Sequence, residues 1–141
     1  MIKRIHHVAV VVEEMEGALS FWEDALGLKV THRAEVPEQQ AQVAFLPVGE
    51  GEVELVRPTT DTSGMAKYLA KRGPGIHHIC VEVDNIADML GQLKAKGVRL
   101  IDETARSSGD GKKYAFVHPE STKGVLVELY ELAPLTPLTP Q

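Results

Sequence analysis

The sequence predicts an α+β fold built from two tandem β-α-β-β-β modules that form a curved mixed sheet. Three internal matches lead there. Ile5-His6-His7-Val8-Ala9-Val10 recurs 71 positions later as Ile76-His77-His78-Ile79-Cys80-Val81. Val53-Glu54-Leu55-Val56 recurs as Val127-Glu128-Leu129-Tyr130, and between them Ala44-Phe45-Leu46 is echoed by Ala115-Phe116-Val117. Matches that keep their order along the chain mark a duplicated unit.

Each copy opens on a strand. His6, Val8, Val10 and Val12 alternate with His7, Ala9 and Val11, the period-two pattern of a sheet with two distinct faces. A helix follows, from about Met15 to Leu26 with Ala18, Phe21, Trp22 and Ala25 at helical spacing. In the second copy it runs from about Ile86 to Lys96 with Met89, Leu90 and Leu93 as its apolar stripe. Gly27 and Gly97 stand where a left-handed residue closes a helix. Three strands then complete each module. They are placed near Leu28–Ala34, Gln42–Val48 and Glu52–Arg57, and near Arg99–Ala105, Tyr114–His118 and Gly124–Glu131.

Between the modules, Asp61-Thr62-Ser63 reads as a helix start and Met65–Lys71 as a short helix. The expected organisation is one domain over 1–131: module one at about 1–58, a linker helix at about 59–74, and module two at about 75–131. Residues 132–141 form a proline-rich tail, expected to be extended.

Composition excludes several classes of function. Hydrophobic residues make up 43% and charged residues 25% of 141 positions, ordinary for a globular domain with one core. A net charge of −5 opposes general attraction to nucleic acid or an anionic membrane. No apolar run approaches the roughly 20 residues of a membrane span. Cys80 is the single cysteine, so no intramolecular disulfide forms, which fits a reducing compartment. The N-terminal apolar run is followed at once by acidic residues and reads as a strand, not a signal peptide. A cytoplasmic protein is expected.

The duplicated strands carry ionisable groups at matched points. His7 shares a face with Ala9, and His78 with Cys80, while Val8, Val10, Ile79 and Val81 point the other way toward the helices. Glu54 is bracketed by Val53 and Leu55, and Glu128 by Val127 and Leu129. A lone carboxylate among aliphatics is costly to bury, and here two recur in matched copies. Two imidazoles and two carboxylates suit one divalent first-row ion: Zn, Co, Ni or Mn. His6 and His77 lie on the helix-facing side by parity and read as packing or hydrogen-bonding residues. His32 has no counterpart and reads as a surface residue; His118 ends a strand beside a loop that could reach the site.

These residues resemble the vicinal oxygen chelate, or glyoxalase-like, superfamily. Three segments resemble more narrowly the methylmalonyl-CoA epimerase family. They are Arg4-Ile5-His6-His7-Val8-Ala9-Val10, Gly75-Ile76-His77-His78-Ile79-Cys80-Val81-Glu82-Val83-Asp84-Asn85-Ile86, and Phe116-Val117-His118-Pro119 with Gly124-Val125-Leu126-Val127-Glu128-Leu129. The linker from Asp61 to Gly73 is similar too. The resemblance implies a metal-dependent proton transfer that interconverts the epimers of an acyl-CoA at the carbon between thioester and carboxylate. It places His7, His78 and Glu128 on the family's ligand positions and Glu54 on the fourth, which is often Gln in epimerases and commonly Glu in glyoxalase I enzymes. It implies acid/base work for Glu128, with Glu54 as a candidate for the opposite face. Some epimerases carry a Glu on the third strand of the first module; that position here is Val43.

Lys67, Lys71 and Arg72 on the linker, and Lys112, Lys113 and Lys123 near the last loops, are the basic residues available to a CoA phosphate. Ser107-Ser108-Gly109-Asp110-Gly111 reads as a flexible loop able to close over a substrate. The competing readings are glyoxalase I, an extradiol dioxygenase and a metal-free ligand-binding protein of the same fold. Glyoxalase I commonly has Asp-Pro-Asp-Gly before the last strand, where this chain has His118-Pro119-Glu120-Ser121. Open sheet edges, with Phe21 and Trp22 exceeding one helical stripe, point to a homodimer.

Overall fold

The computed structural model describes residues 1–133. The proline-rich segment from Pro134 onward lies outside the described residues. The chain forms two compact units, one of Arg4–Cys80 and the other of Met1–Lys3 with the chain from Val81 onward.

The first unit holds strand β1 (Ile2–Val11, entering at Arg4), helix α1 (Met15–Leu19), β2 (His32–Val36), β3 (Ala41–Val48), β4 (Gly51–Pro58), helix α2 (Gly64–Arg72) and the start of β5 (Gly75–Val83). Its strand order is β2-β3-β4-β1-β5. β1 pairs with β4 in parallel, while β2, β3 and β4 run antiparallel, so the sheet is mixed. Alternation sorts the side chains. Val12, Ala44, Leu46 and Leu55 are buried with Met15 and Leu19 of α1, and Val10, Val53 and Trp22 pack against them. Ala9, Ala41, Val43 and Val56 form a separate cluster with Phe45 and Met65.

The second unit carries the end of β5, helix α3 (Ile86–Ala95), β6 (Arg106–Ser107), β7 (Lys113–Val117) and β8 (Val127–Glu131), ordered β8-β7-β6. Its core joins Val83, Ile86, Leu90, Ala115, Val117 and Leu129. Caps set the helix starts: the Ser63 hydroxyl accepts from Ala66 N at 3.1 Å, and Asn85 Oδ1 from Asp88 N at 3.1 Å.

α1 continues from Ser20 to Ala25 as a π-helix, whereas α3 is regular. The two copies explain this. Met15, Leu19 and Trp22 match Ile86, Leu90 and Leu93, but one more residue separates Trp22 from Gly27 than separates Leu93 from Gly97. Each closing bond in the first copy is one residue wider. Gly27 N reaches Glu23 O and Leu28 N reaches Trp22 O, against Gly97 N to Lys94 O and Val98 N to Leu93 O. The π turn absorbs an inserted residue without displacing the buried stripe. Gly27 and Gly97 have φ of 90° and 80°, the left-handed closures their positions require.

Three expected strands differ. The chain from Leu28 enters the ladder only at His32, because Leu28 and Val30 pack on the core and Val30 N is taken by Glu23 Oε2 at 3.1 Å. Arg99–Ala105 makes a single bridge, Leu100 to Val117. There, Asp102 is buried, and its carboxylate accepts from Phe116 N at 2.9 Å and Arg106 Nε at 2.8 Å. Arg99 N goes to Ser121 Oγ at 2.8 Å. Side chains replace ladder partners, so no strand is needed to satisfy those donors. The last strand starts at Val127, since Lys123 (φ 66°) and Gly124 (φ 108°) form a turn before it.

Candidate metal centre

β1, β4 and β5 position the central residues. In the parallel β1–β4 ladder His7 lies opposite Glu52, and Ala9 opposite Glu54. Period-two alternation therefore puts His7, Glu52 and Glu54 on one face, while Val53 and Leu55 turn to the core beside α1. His78 and Cys80 occupy one face of β5, and both are buried.

The structure brings His7, Glu54 and His78 together. Their ligand atoms all lie within 4.8 Å of one another. His7 Nε2 is 3.3 Å from His78 Nε2 and 4.0 Å from Glu54 Oε1. The histidines are 6% and 7% exposed, and the Glu54 side chain 17%. With metal–ligand bonds of about 2.1 Å, ligands of an octahedral ion stand about 3 Å apart when adjacent and about 4.2 Å when opposite. The observed separations fall in that span, and the donors are the imidazole and carboxylate that divalent first-row ions accept.

Glu128 belongs to the second unit. It is buried on β8 opposite Phe116 of β7, while its neighbours Val127 and Leu129 pack on that unit's core. It thus repeats the placement of Glu54 between Val53 and Leu55. Val43 sits in the apolar cluster with Ala9, Ala41 and Val56. That position offers no carboxylate.

Other candidates find local roles. His118 Nδ1 accepts from Glu120 N at 3.0 Å and shapes the turn after β7. His32 is exposed and stacks on Phe45. The Ser107–Gly111 segment is the tip of the β6–β7 hairpin, not an open loop. Ser108 Oγ donates to Asp110 Oδ1 at 2.6 Å, and Lys112 Nζ pairs with Asp110 at 3.2 Å. The Ser108 hydroxyl and Lys112 hold the Asp110 carboxyl down from 3.8 to about 2. Burial pushes the nearby Tyr130 phenol up. Lys113 lies 3.9 Å from Glu131, and Arg72 sits over the Tyr68 ring at 5.4 Å; Lys67 and Lys71 are exposed.

Sequence reasoning passed over Glu52 and, reading His6 and His77 as packing or hydrogen-bonding residues, did not name their partners. Glu52 is a second carboxylate on the face of Glu54, detectable by counting two residues back along the strand. His6 and His77 each hold the imidazole beside them: Nδ1 to Nδ1 is 2.8 Å in both pairs. The signal was the adjacent His-His doublet in both copies.

Residues 6–116 match the family model of the Glyoxalase/Bleomycin resistance protein/Dioxygenase superfamily, a span that includes His7, Glu54 and His78. The mouse mitochondrial methylmalonyl-CoA epimerase is 39% identical over 127 residues, covering 89% of this chain and 71% of the mouse protein. Among solved structures, the methylmalonyl-CoA epimerase from Mycobacterium tuberculosis superposes with a TM-score of 0.84 at 34% identity, covering 94% of this chain and 90% of that one. A variant of the Streptomyces coelicolor methylmalonyl-CoA epimerase in complex with 2-nitronate-propionyl-CoA superposes with a TM-score of 0.85 at 28% identity, covering 97% of this chain and 100% of that one. With two β-α-β-β-β modules, a paired-histidine centre and this breadth of similarity, the chain belongs to the glyoxalase/bleomycin resistance protein/dioxygenase superfamily and, within it, to the methylmalonyl-CoA epimerase family.

Proposed function

We propose that the protein epimerises methylmalonyl-CoA, or an acyl-CoA of closely similar shape, by moving the proton on the carbon between the thioester and the carboxylate. The observation that carries this reading is the His7–Glu54–His78 group, with both histidines buried and Glu54 half-buried, found in a chain of the epimerase family. Glu128 completes the ligand set in this reading. Its support is the sequence repeat and its burial as a charged residue between two core-facing neighbours.

A divalent ion (Co, Mn, Zn or Ni) held by His7, Glu54, His78 and Glu128 would supply Lewis-acid stabilisation of the negative charge that develops as the substrate ionises. The protein's own residues do the rest. The Glu128 carboxylate takes the α-proton from one epimer: the C–H bond breaks, its electron pair passes into the thioester as an enolate, and the proton stays on Glu128. A second donor, Glu54 in its protonated form or a water, delivers a proton to the opposite face of the planar carbon, and Glu128 gives its proton up to solvent while the donor is refilled from it, so both groups return to their starting state. No electron is gained or lost overall. Exposed Lys67, Lys71 and Arg72 are the basic groups of the first unit that suit a CoA phosphate.

The test starts from each pure epimer of methylmalonyl-CoA in deuterated buffer. Expected are formation of the other epimer, deuterium at the α-carbon, loss of both after chelator treatment, and one divalent ion per chain by elemental analysis. Turnover of a glutathione hemithioacetal without exchange of the acyl-CoA would assign the protein to glyoxalase chemistry. Binding of ligand with no metal and no turnover would make it a binding protein.

A further inference from the structure

We propose that His6 and His77 are paired positioning residues, each accepting the Nδ1 proton of the neighbouring ligand histidine and thereby holding the Nε2 lone pairs of His7 and His78 toward the metal. This rests on the metal reading above. Four observations carry it. First, His6 Nδ1 is 2.8 Å from His7 Nδ1, and His77 Nδ1 is 2.8 Å from His78 Nδ1. Second, the two pairs have the same shape: ring centroids 5.1 Å apart in both, with interplanar angles of 78° and 80°. Third, the other nitrogens of the inner rings, His7 Nε2 and His78 Nε2, face each other at 3.3 Å beside Glu54. Fourth, the doublet occurs in both copies of the repeat, following Ile5 in one and Ile76 in the other.

Proton counting then fixes the roles. Two ring nitrogens at 2.8 Å share one hydrogen, because two lone pairs or two N–H groups would repel at that distance. A neutral imidazole has one ring proton. A metal ligand at Nε2 must carry that proton on Nδ1. His7 and His78 are therefore the donors, and His6 and His77 the acceptors with their own protons on Nε2. The acceptor role is usually filled by a carboxylate, a carbonyl or water. Here a second imidazole fills it, and it brings no negative charge next to a site that already holds carboxylates.

A competing arrangement uses the same atoms. His6, His7 and Cys80 also place ligand atoms within 4.8 Å of one another. Nitrogens bound to one tetrahedral ion at about 2.1 Å stand about 3.4 Å apart. The 2.8 Å spacing of His6 and His7 Nδ1 is the shorter distance of a hydrogen bond. This group holds a proton between the rings, not a second ion. Outside support differs between the copies. The Tyr68 ring of α2 meets His77 edge-on at 4.7 Å, and its hydroxyl donates to Ile76 O at 3.1 Å. α2 thus helps hold the second acceptor in place.

The test reads metal affinity and ring protonation, not turnover. Zinc affinity is measured by competition with a chromophoric chelator for wild type, His6→Ala, His77→Ala, His6→Asn and His77→Asn. Losing such an outer partner typically weakens binding about 10- to 100-fold. That loss is expected for each Ala variant, with most of it recovered in the Asn variants, whose side-chain oxygen can accept. In parallel, ¹⁵N spectra of the zinc-loaded wild type in mildly alkaline buffer should show His6 and His77 as neutral Nε2–H tautomers. This measurement stands even where an Ala variant fails to fold. Unchanged affinity in both Ala variants, or Nδ1–H tautomers at His6 and His77, overturns the inference and leaves the metal reading intact. A wild type that binds no divalent ion overturns the metal reading itself.

Discussion

Two carboxylates in equivalent strand positions need not do equivalent work, and substitution separates them. Glu54→Gln keeps an oxygen donor beside His7, so metal should be retained and epimerisation should drop only modestly. Glu128→Gln also keeps an oxygen donor but removes the base beside the carbon acid. A positioned general base is worth about 10²–10⁴-fold, and a loss of that order with metal still bound is expected. Deuterium exchange followed from each epimer is the discriminating measurement: loss of Glu128 should suppress exchange from one epimer more than from the other. If Glu54→Gln proves more damaging at equal metal content, the roles are reversed. His7→Ala and His78→Ala should each empty the site, as elemental analysis after dialysis would show; full occupancy in both would exclude these ligands. His7, His78 and Glu54 could be picked out from the sequence because side-chain direction in a strand alternates with every residue, so each one's face follows from its immediate neighbours. The proton direction between His6 and His7 could not, since it depends on ring rotation that the residues around them set.

Element by element, the two copies test each other. The six-residue π segment of α1 answers to one inserted residue. Deleting exposed Asp24 should turn it into an α-helix like α3, with the Met15–Leu19–Trp22 stripe intact. Thermal unfolding should then occur at an unchanged or higher temperature; a marked loss would show that the π turn is required by its surroundings. In the second copy Asp102 stands in for a strand. Asp102→Ala removes the buried carboxylate that accepts from Phe116 N and Arg106 Nε and should cost about 1–3 kcal/mol in denaturant unfolding. Asp102→Asn, which still accepts, should cost less. The β6–β7 hairpin has an acid-sensitive latch. The Asp110 carboxyl is lowered from 3.8 to about 2 by the Ser108 hydroxyl and Lys112. A lowered native pKa stabilises the hairpin above the ordinary value, and that contribution disappears as pH falls through about 2. Amide exchange at Ser108 and Gly111 should rise between those limits in the wild type and show no such rise in Asp110→Asn. The missing strand at Arg99–Ala105 was not legible, because nothing in local periodicity reveals that Asp102 and Ser121 satisfy backbone donors from a distance.

For the whole molecule, a homodimer is expected, though on a narrower footing than helix composition suggested. Trp22 packs against the core of its own unit, while Phe21 and Leu26 remain 54% and 52% exposed. Sedimentation at micromolar concentration should give the mass of two chains, and Phe21→Glu should shift it toward one; a wild-type mass of one chain refutes the expectation. Residues 1–131 are expected to unfold as one domain, in a single cooperative transition by calorimetry, since β1 and β5 each supply residues to both compact units. Two resolved transitions would refute that. Among the described residues no helix is long and apolar enough to cross a membrane.

Duplication, the strand and helix that open each copy and the face that His7, His78, Glu54 and Glu128 occupy were written in the chain, because they follow from short-range periodicity and from comparing one half with the other. Folding settled the rest. The 3.3 Å approach of His7 to His78, the 2.8 Å approach of the two Nδ1 atoms within each His-His doublet, and the replacement of a strand by buried Asp102 all join groups distant in sequence or turn on side-chain rotation. Strand pairing and packing fix those distances, and no local pattern of residue types contains them.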